Sequence, residues 1–168
     1  PERRQLAKTG VLRSAYMLGN GEEVMLAATD LLAETKVAPE LSNEAHYYRA
    51  KAYLDAGKVE GAMDDLKILA KDTRNIYGAE AKYKVAQIYF DAGQTEQAEK
   101  EVLDYIEVST PHTYWLARSF VLLSDVYMKL GRNLDAKQYL LSLKQNYQAD
   151  DDIAGMIESR LEKLKTEN

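Results

Sequence analysis

Residues 79–105 read AEAKYKVAQIYFDAGQTEQAEKEVLDY. From Ala79 to Ala92 the small and apolar positions are Ala79, Tyr83, Val85, Ala86, Ile88, Tyr89, Phe90 and Ala92. Steps of three and four dominate, which is the period of a helix. Gly93 then stops that helix, because glycine reaches positive φ past a helix end at no steric cost. Ala98, Val102 and Tyr105 set the stripe of a second helix. Two helices joined by so tight a turn lie antiparallel and bury their stripes against each other.

The same pattern recurs when other segments are aligned on their glycines. Gly57 has Tyr53 four residues before it, Ala50 seven before and Ala62 five after. Gly93 has Tyr89, Ala86 and Ala98 at those offsets, and Gly131 has Tyr127, Ser124 and Ala136. Leu66, Val102 and Leu140 stand nine after their glycines, and Leu69, Tyr105 and Leu143 twelve after. The small residues allow two backbones to approach closely, and the tyrosines fill the space beside the turn.

Three sets carry a resemblance to a known family: Ala50-Tyr53-Gly57-Ala62, Ala86-Tyr89-Gly93-Ala98 and Ser124-Tyr127-Gly131-Ala136. The chain resembles the tetratricopeptide repeat (TPR) family, whose period is about 34 residues. Here the glycines are 36 and 38 apart, and the excess falls between repeats, as at Ser109-Thr110-Pro111-His112-Thr113-Tyr114. The family's tryptophan, eleven before the glycine, is replaced by His46, Lys82 and Phe120. The resemblance covers residues 43–148 well and 5–36 weakly. It implies an all-α fold: a right-handed α-α superhelix, or TPR-like solenoid, of four helical hairpins plus a C-terminal capping helix.

The expected repeats span residues 3–36, 43–72, 79–108 and 115–148, with a cap at 150–165, in a single repeat domain over 1–168. In the first, Gly19 lies 38 before Gly57, but Ala15 replaces the tyrosine and Val24 the alanine. This fits a terminal unit, or one covered by further repeats upstream. Pro39 is expected to break the chain, with Ser42 or Asn43 capping a helix that starts at Glu44. Ile153, Met156, Ile157, Leu161 and Leu164 form the stripe of the last helix. The chain opens at Pro1 without a methionine, so a processed protein or a piece of a longer one is expected.

Net charge is −5 and the sequence pI is near 5.2, which disfavours nucleic acid as a partner. There is no cysteine, so no disulfide framework exists. No run of 18 apolar residues is present, so no membrane-spanning segment is expected. His46 and His112 lack companions at metal-ligand spacing and read as a packing residue and a loop residue. Asp150, Asp151 and Asp152 read as the charged start of a helix, and Asp64 and Asp65 as a solvated face. The serines have no neighbouring histidine or hydrolase elbow. No phosphate loop is present. No catalytic constellation, metal site or cofactor is expected.

What remains is a surface. In the family, the first helices of successive repeats line a groove through residues ten, six and three before each glycine. The resemblance places Thr9, Tyr47, Tyr83 and Val121 there, then Arg13, Lys51, Gln87 and Asp125, then Tyr16, Leu54, Phe90 and Met128. This implies an aromatic and apolar floor whose polarity runs from basic to acidic. Inter-repeat packing is the competing reading for Tyr47, Tyr83 and the set three before each glycine. The lysine and asparagines with which chaperone-binding members grip a C-terminal carboxylate are absent from Thr9, Arg13, Tyr47, Lys51, Tyr83 and Gln87.

The resemblance therefore implies a non-catalytic module that binds an extended segment or helix of another protein. A structural spacer or self-associating segment of a larger superhelix, giving a homo-oligomer, is the alternative. A helical-repeat enzyme is disfavoured for want of a nucleophile–base pair. A looser likeness is to TPR proteins of the bacterial cell envelope, which favours the envelope or periplasm over the cytoplasm without fixing the location. Tyr147-Gln148-Ala149-Asp150 departs from the Tyr-Pro-x-Ser stretch frequent in those proteins.

Overall fold

A computed structural model describes residues 1–108 and 110–166; Ser109, in the expected linker, lies outside them. Among the described residues there are nine helices and no strand: α1 (Glu2–Met17), α2 (Gly21–Leu32), α3 (Pro39–Asp55), α4 (Val59–Leu69), α5 (Ile76–Asp91), α6 (Thr95–Glu107), α7 (Thr113–Lys129), α8 (Asn133–Asn146) and α9 (Ile153–Thr166). They form two compact units, Pro1–Asp72 and Thr73–Asn168. The first holds the hairpins α1–α2 and α3–α4. The second holds α5–α6 and α7–α8, with α9 packed on both α7 and α8.

Each hairpin is closed in one way. Gly19, Gly57, Gly93 and Gly131 have φ of 70°, 74°, 79° and 77°. A side chain in that left-handed region crowds the following carbonyl, so glycine takes the position. At each site two backbone bonds catch carbonyls left open by the helix end. Gly57 N–H donates to Leu54 O (3.0 Å) and Lys58 N–H to Tyr53 O (2.8 Å). Gly93 and Gln94 bond Phe90 and Tyr89 likewise, and Gly131 and Arg132 bond Met128 and Tyr127.

The aligned positions are the core. Ala50, Ala86, Ala62, Ala98, Ala136 and Ser124 are at most 1% exposed. The first hairpin fills the same positions with different side chains. Leu12 stands where Ala50 does and Val24 where Ala62 does, while Ala28 replaces Leu66. All three are buried. The larger side chains at the first two positions are offset in part by the smaller one at the third.

The positions of the missing tryptophan have a common solution. His46, Lys82 and Phe120, eleven before their glycines, each meet the residue eight after. His46 Nδ1 donates to Asp65 Oδ1 (2.7 Å), and Lys82 Nζ to Glu101 Oε2 (2.7 Å). The Phe120 and Tyr139 rings lie 6.1 Å apart. These three hairpins therefore tie their two helices at the same level with different chemistry.

Three expectations are corrected here. Pro39 starts α3 rather than breaking the chain, and Ser42 and Asn43 lie within that helix. Proline suits the first helical position because the N–H it lacks would have had no partner there. Asp65 is not on a solvated face: it is 1% exposed. Arg49 from α3 donates Nε to Asp65 Oδ2 (2.9 Å) and Nη2 to Oδ1 (2.7 Å), and its Nη1 donates to Thr29 Oγ1 of α2 (3.0 Å). His46 is thus part of a buried polar network rather than a packing side chain. The other acids behave as expected. Asp151 Oδ1 accepts from Ile153 N–H at the start of α9, and Tyr114 OH donates to Asp152. His112 also keeps its loop role, with Nε2 donating to Arg74 O (2.9 Å).

Two outcomes are expected. Gly93→Ala, at φ 79°, lowers stability by about 1 kcal/mol. Gly10→Ala, in the interior of α1 with open space around the new methyl, raises it by about 0.5–1 kcal/mol. Urea denaturation of both variants reads the opposite signs. The second concerns Asp65. Burial pushes its carboxyl up, but the hydrogen bonds from His46 and Arg49 outweigh this and hold it below the usual carboxylate range. The folded value lies below the unfolded one of about 3.9. Its stabilisation is therefore complete above that pH and is lost as pH falls through the folded value. Asp65→Asn is expected to cost about 3 kcal/mol at neutral pH, by stranding Arg49. The same substitution shrinks the loss on acidification, and thermal melts at stepped pH check both.

Candidate binding surface

In the first unit the groove positions lie on α1 and α3. Arg13 is half exposed but not available as a lone charge: its Nε and Nη2 donate to Glu44 Oε1 (2.6 Å) and Oε2 (2.8 Å). That guanidinium holds the Glu44 carboxyl below its usual range, against the upward push of burial. Tyr16 stacks on Tyr48 with ring centroids 4.1 Å apart, and Tyr47 lies 6.0 Å from Tyr48. Lys51 Nζ sits 5.4 Å from the Tyr47 ring centroid. Lys51 and Tyr16 also border a small hollow of about 70 Å³ beside Val24 and Ala52. Leu54 is half-buried in the last turn of α3. The result is a tyrosine patch in which the cation rests on a ring face.

In the second unit the positions lie on α5 and α7. Tyr83 and Val121 are 7% and 2% exposed, so both belong to the core rather than to a contact surface. Thr9, in the first unit, is 1% exposed for the same reason. The position ten before each glycine points between the helices except in Tyr47. Tyr83 packs on Trp115 at 5.6 Å, and Arg118 lies 5.2 Å over its ring. Burial pushes the Tyr83 hydroxyl up from its ordinary value. That hydroxyl donates to Gln87 Oε1 (2.9 Å), and Gln87 Nε2 donates to Asp91 Oδ1 (2.8 Å).

The expected acidic end is overturned. Arg160 of α9 donates Nε to Asp125 Oδ1 (2.7 Å) and Nη2 to Asp125 Oδ2 (2.9 Å). A fork of this kind satisfies both oxygens and cancels the charge. With Arg13 paired as well, neither end of the supposed gradient survives. Instead, Phe90, Asp125, Met128, Lys129, Ser159, Arg160 and Lys163 line an open cleft of about 510 Å³. It holds one carboxylate and three cations. Lys129, Arg160 and Lys163 were not legible as site residues. The last helix reads from sequence as a cap, and the only signal in it is the Arg160–Lys163 spacing of one helical turn.

Among the described residues no group of three or more His, Asp or Glu side chains could hold a metal ion. No helix there is long and apolar enough to cross a membrane.

The architecture has solved counterparts. A Podosopora anserina protein described as a kinesin light chain with nearly identical TPR-like repeats superposes with a TM-score of 0.56, covering 97% of this chain and 94% of that one, at 15% identity. A single-substitution variant of it superposes with a TM-score of 0.59, covering 97% and 93%, also at 15% identity. The fold is that of TPR-like repeats. No family model matches the sequence, and no curated protein does. At that identity the likeness carries helical-repeat architecture and leaves binding chemistry to the residues of this chain.

Proposed function

We propose that the chain is a non-catalytic protein–protein interaction module that holds an extended segment or a helix of another protein against the first helices of its hairpins. The observation that carries this reading is the chemistry of those faces. Arg13 and Asp125 are each paired within the protein, while Tyr16, Tyr47, Phe90 and Met128 stay partly exposed. Aromatic side chains with one apolar body and one polar tip are the usual anchors of protein interfaces. Stacked helical hairpins are typical scaffolds for that role. The test is capture from an extract of the source organism with wild type and with Tyr47→Ala/Phe90→Ala. A partner held by wild type and lost by the variant, at unchanged helicity in circular dichroism, is the expected outcome. A partner held equally by both, or none held by wild type, counts against the reading.

One observation favours the structural alternative. Val11 and Leu18 of α1 are 62% and 80% exposed. In register with Val11, Leu123 of α7 is fully buried. A self-associating chain would cover that face. Sedimentation at rising concentration is expected to show association for wild type and none for Val11→Lys. A mass that does not change with concentration removes this alternative.

A further inference from the structure

The cleft between α7 and α9 has a composition unlike the rest of the chain. The protein is acidic overall, at net charge −5. The cleft is basic. Asp125 is consumed by the two-bond contact with Arg160. That leaves Lys129 on one wall and Lys163 on the other, both exposed. Among the described residues neither ammonium has a hydrogen-bond or ion-pair partner. Nothing in the hairpin packing requires them. Between the walls lie Phe90 and Met128, half-buried and in contact with the core of the unit. The chemistry offered is an apolar floor flanked by two uncommitted cations, in a cleft large enough for several side chains.

We propose that this cleft receives an internal segment of a partner protein in which an apolar side chain is flanked by acidic residues. Three features select that occupant. The apolar floor takes the central side chain, removing Phe90 and Met128 surface from water. The two lysines are point charges on flexible stems, which can each follow a side-chain carboxylate. The cleft is open, so a chain crosses it rather than ending in it. The paired Arg160 fixes the wall of α9 and keeps Asp125 from repelling the incoming acid. Charge of this kind sets which segment docks and in which direction, more than how tightly. The α9 helix thereby has two roles, closing the core through Ile153, Ile157 and Leu164 and supplying half of the cationic rim. The inference rests on the interaction-module reading and names the ligand class for its second unit.

The experiment uses the whole chain and fluorescent peptides. The probe is acetyl-Gly-Ser-Glu-Leu-Asp-Ser-Gly-amide; the controls are its Gln/Asn counterpart and a short Leu-Asp peptide ending in a free carboxylate. Wild type is expected to bind the acidic internal probe about tenfold more tightly than the Gln/Asn control, as two exposed charge pairs allow. Lys129→Gln/Lys163→Gln is expected to abolish that preference, and both side chains are exposed enough for the fold to survive. Rising salt is expected to weaken the acidic probe and leave the Gln/Asn control unmoved. The proposal is overturned if the two internal peptides bind alike, if neither binds, or if the double variant keeps the preference. Tighter binding of the free-carboxylate control overturns the internal segment in favour of a chain end. A concentration-dependent dimer that the double variant dissolves points to a second copy as occupant and overturns it too. A flat peptide series beside a partner lost in Tyr47→Ala/Phe90→Ala sinks this inference alone. A partner retained by that variant sinks the broader reading, whatever the peptides do.

Discussion

The left-handed glycine after each first helix is the constraint on which the hairpins depend. Positive φ at Gly19, Gly57, Gly93 and Gly131 reverses the chain within a few residues. The two backbone bonds formed there use carbonyls that would otherwise end unsatisfied. Once the turn is fixed, the register of the two helices follows. Residues seven before and five after the glycine are buried between the two helices, small in three hairpins and Leu12 with Val24 in the first. The side chain four before the glycine then has a defined place beside the turn. One backbone torsion thus propagates into the choice of most core residues.

This is why so much of the fold is legible in the sequence. The turn, the small residues and the stripes are local or near-local features, and they recur at fixed offsets. Helix existence and order follow directly, as does α9 as a cover for α7 and α8. Boundaries are less legible where a signal has two uses. Pro39 marks a break when read from the preceding side and a helix start when read from the following side. The choice between them depends on whether the chain beyond it is already turning, which the four residues around it do not encode.

Side-chain partners are a different matter, and Asp65 shows why. Taken by itself in α4 it belongs with Asp64 on a wet face. Its fate is decided by His46 and Arg49, nineteen and sixteen residues earlier. The aligned pairs Lys82–Glu101 and Phe120–Tyr139 follow the same geometry, but their chemistry has no common residue type. A pattern of offsets without a pattern of identities is invisible until one hairpin is seen folded. These pairs also differ in cost. An aromatic contact is tolerant of small displacements, whereas the buried Asp65 must keep all its donors. That gives the hairpin α3–α4 a polar lock more deeply buried than the Lys82–Glu101 pair of α5–α6.

The candidate surface follows from the same argument about partners. A sequence of face residues running from Arg13 through Lys51 and Gln87 to Asp125 looks like a charge gradient only if each charge is free. Arg13 finds Glu44 on α3, Lys51 rests on Tyr47, and Asp125 finds Arg160 on α9. Neutralisation of Arg13 and Asp125 from outside the counted positions removes the gradient and leaves aromatic contact area. It also moves the available positive charge to Lys129 and Lys163, which lie outside the family's groove pattern. Covering an exposed helix face requires apolar residues on one side of the covering helix and leaves its other side unconstrained by packing. In α9 that side carries the exposed Lys163, while Arg160 reaches across to Asp125 on α7. Specificity can therefore reside in the helix that core packing constrains least, since its outward residues vary without disturbing a hairpin.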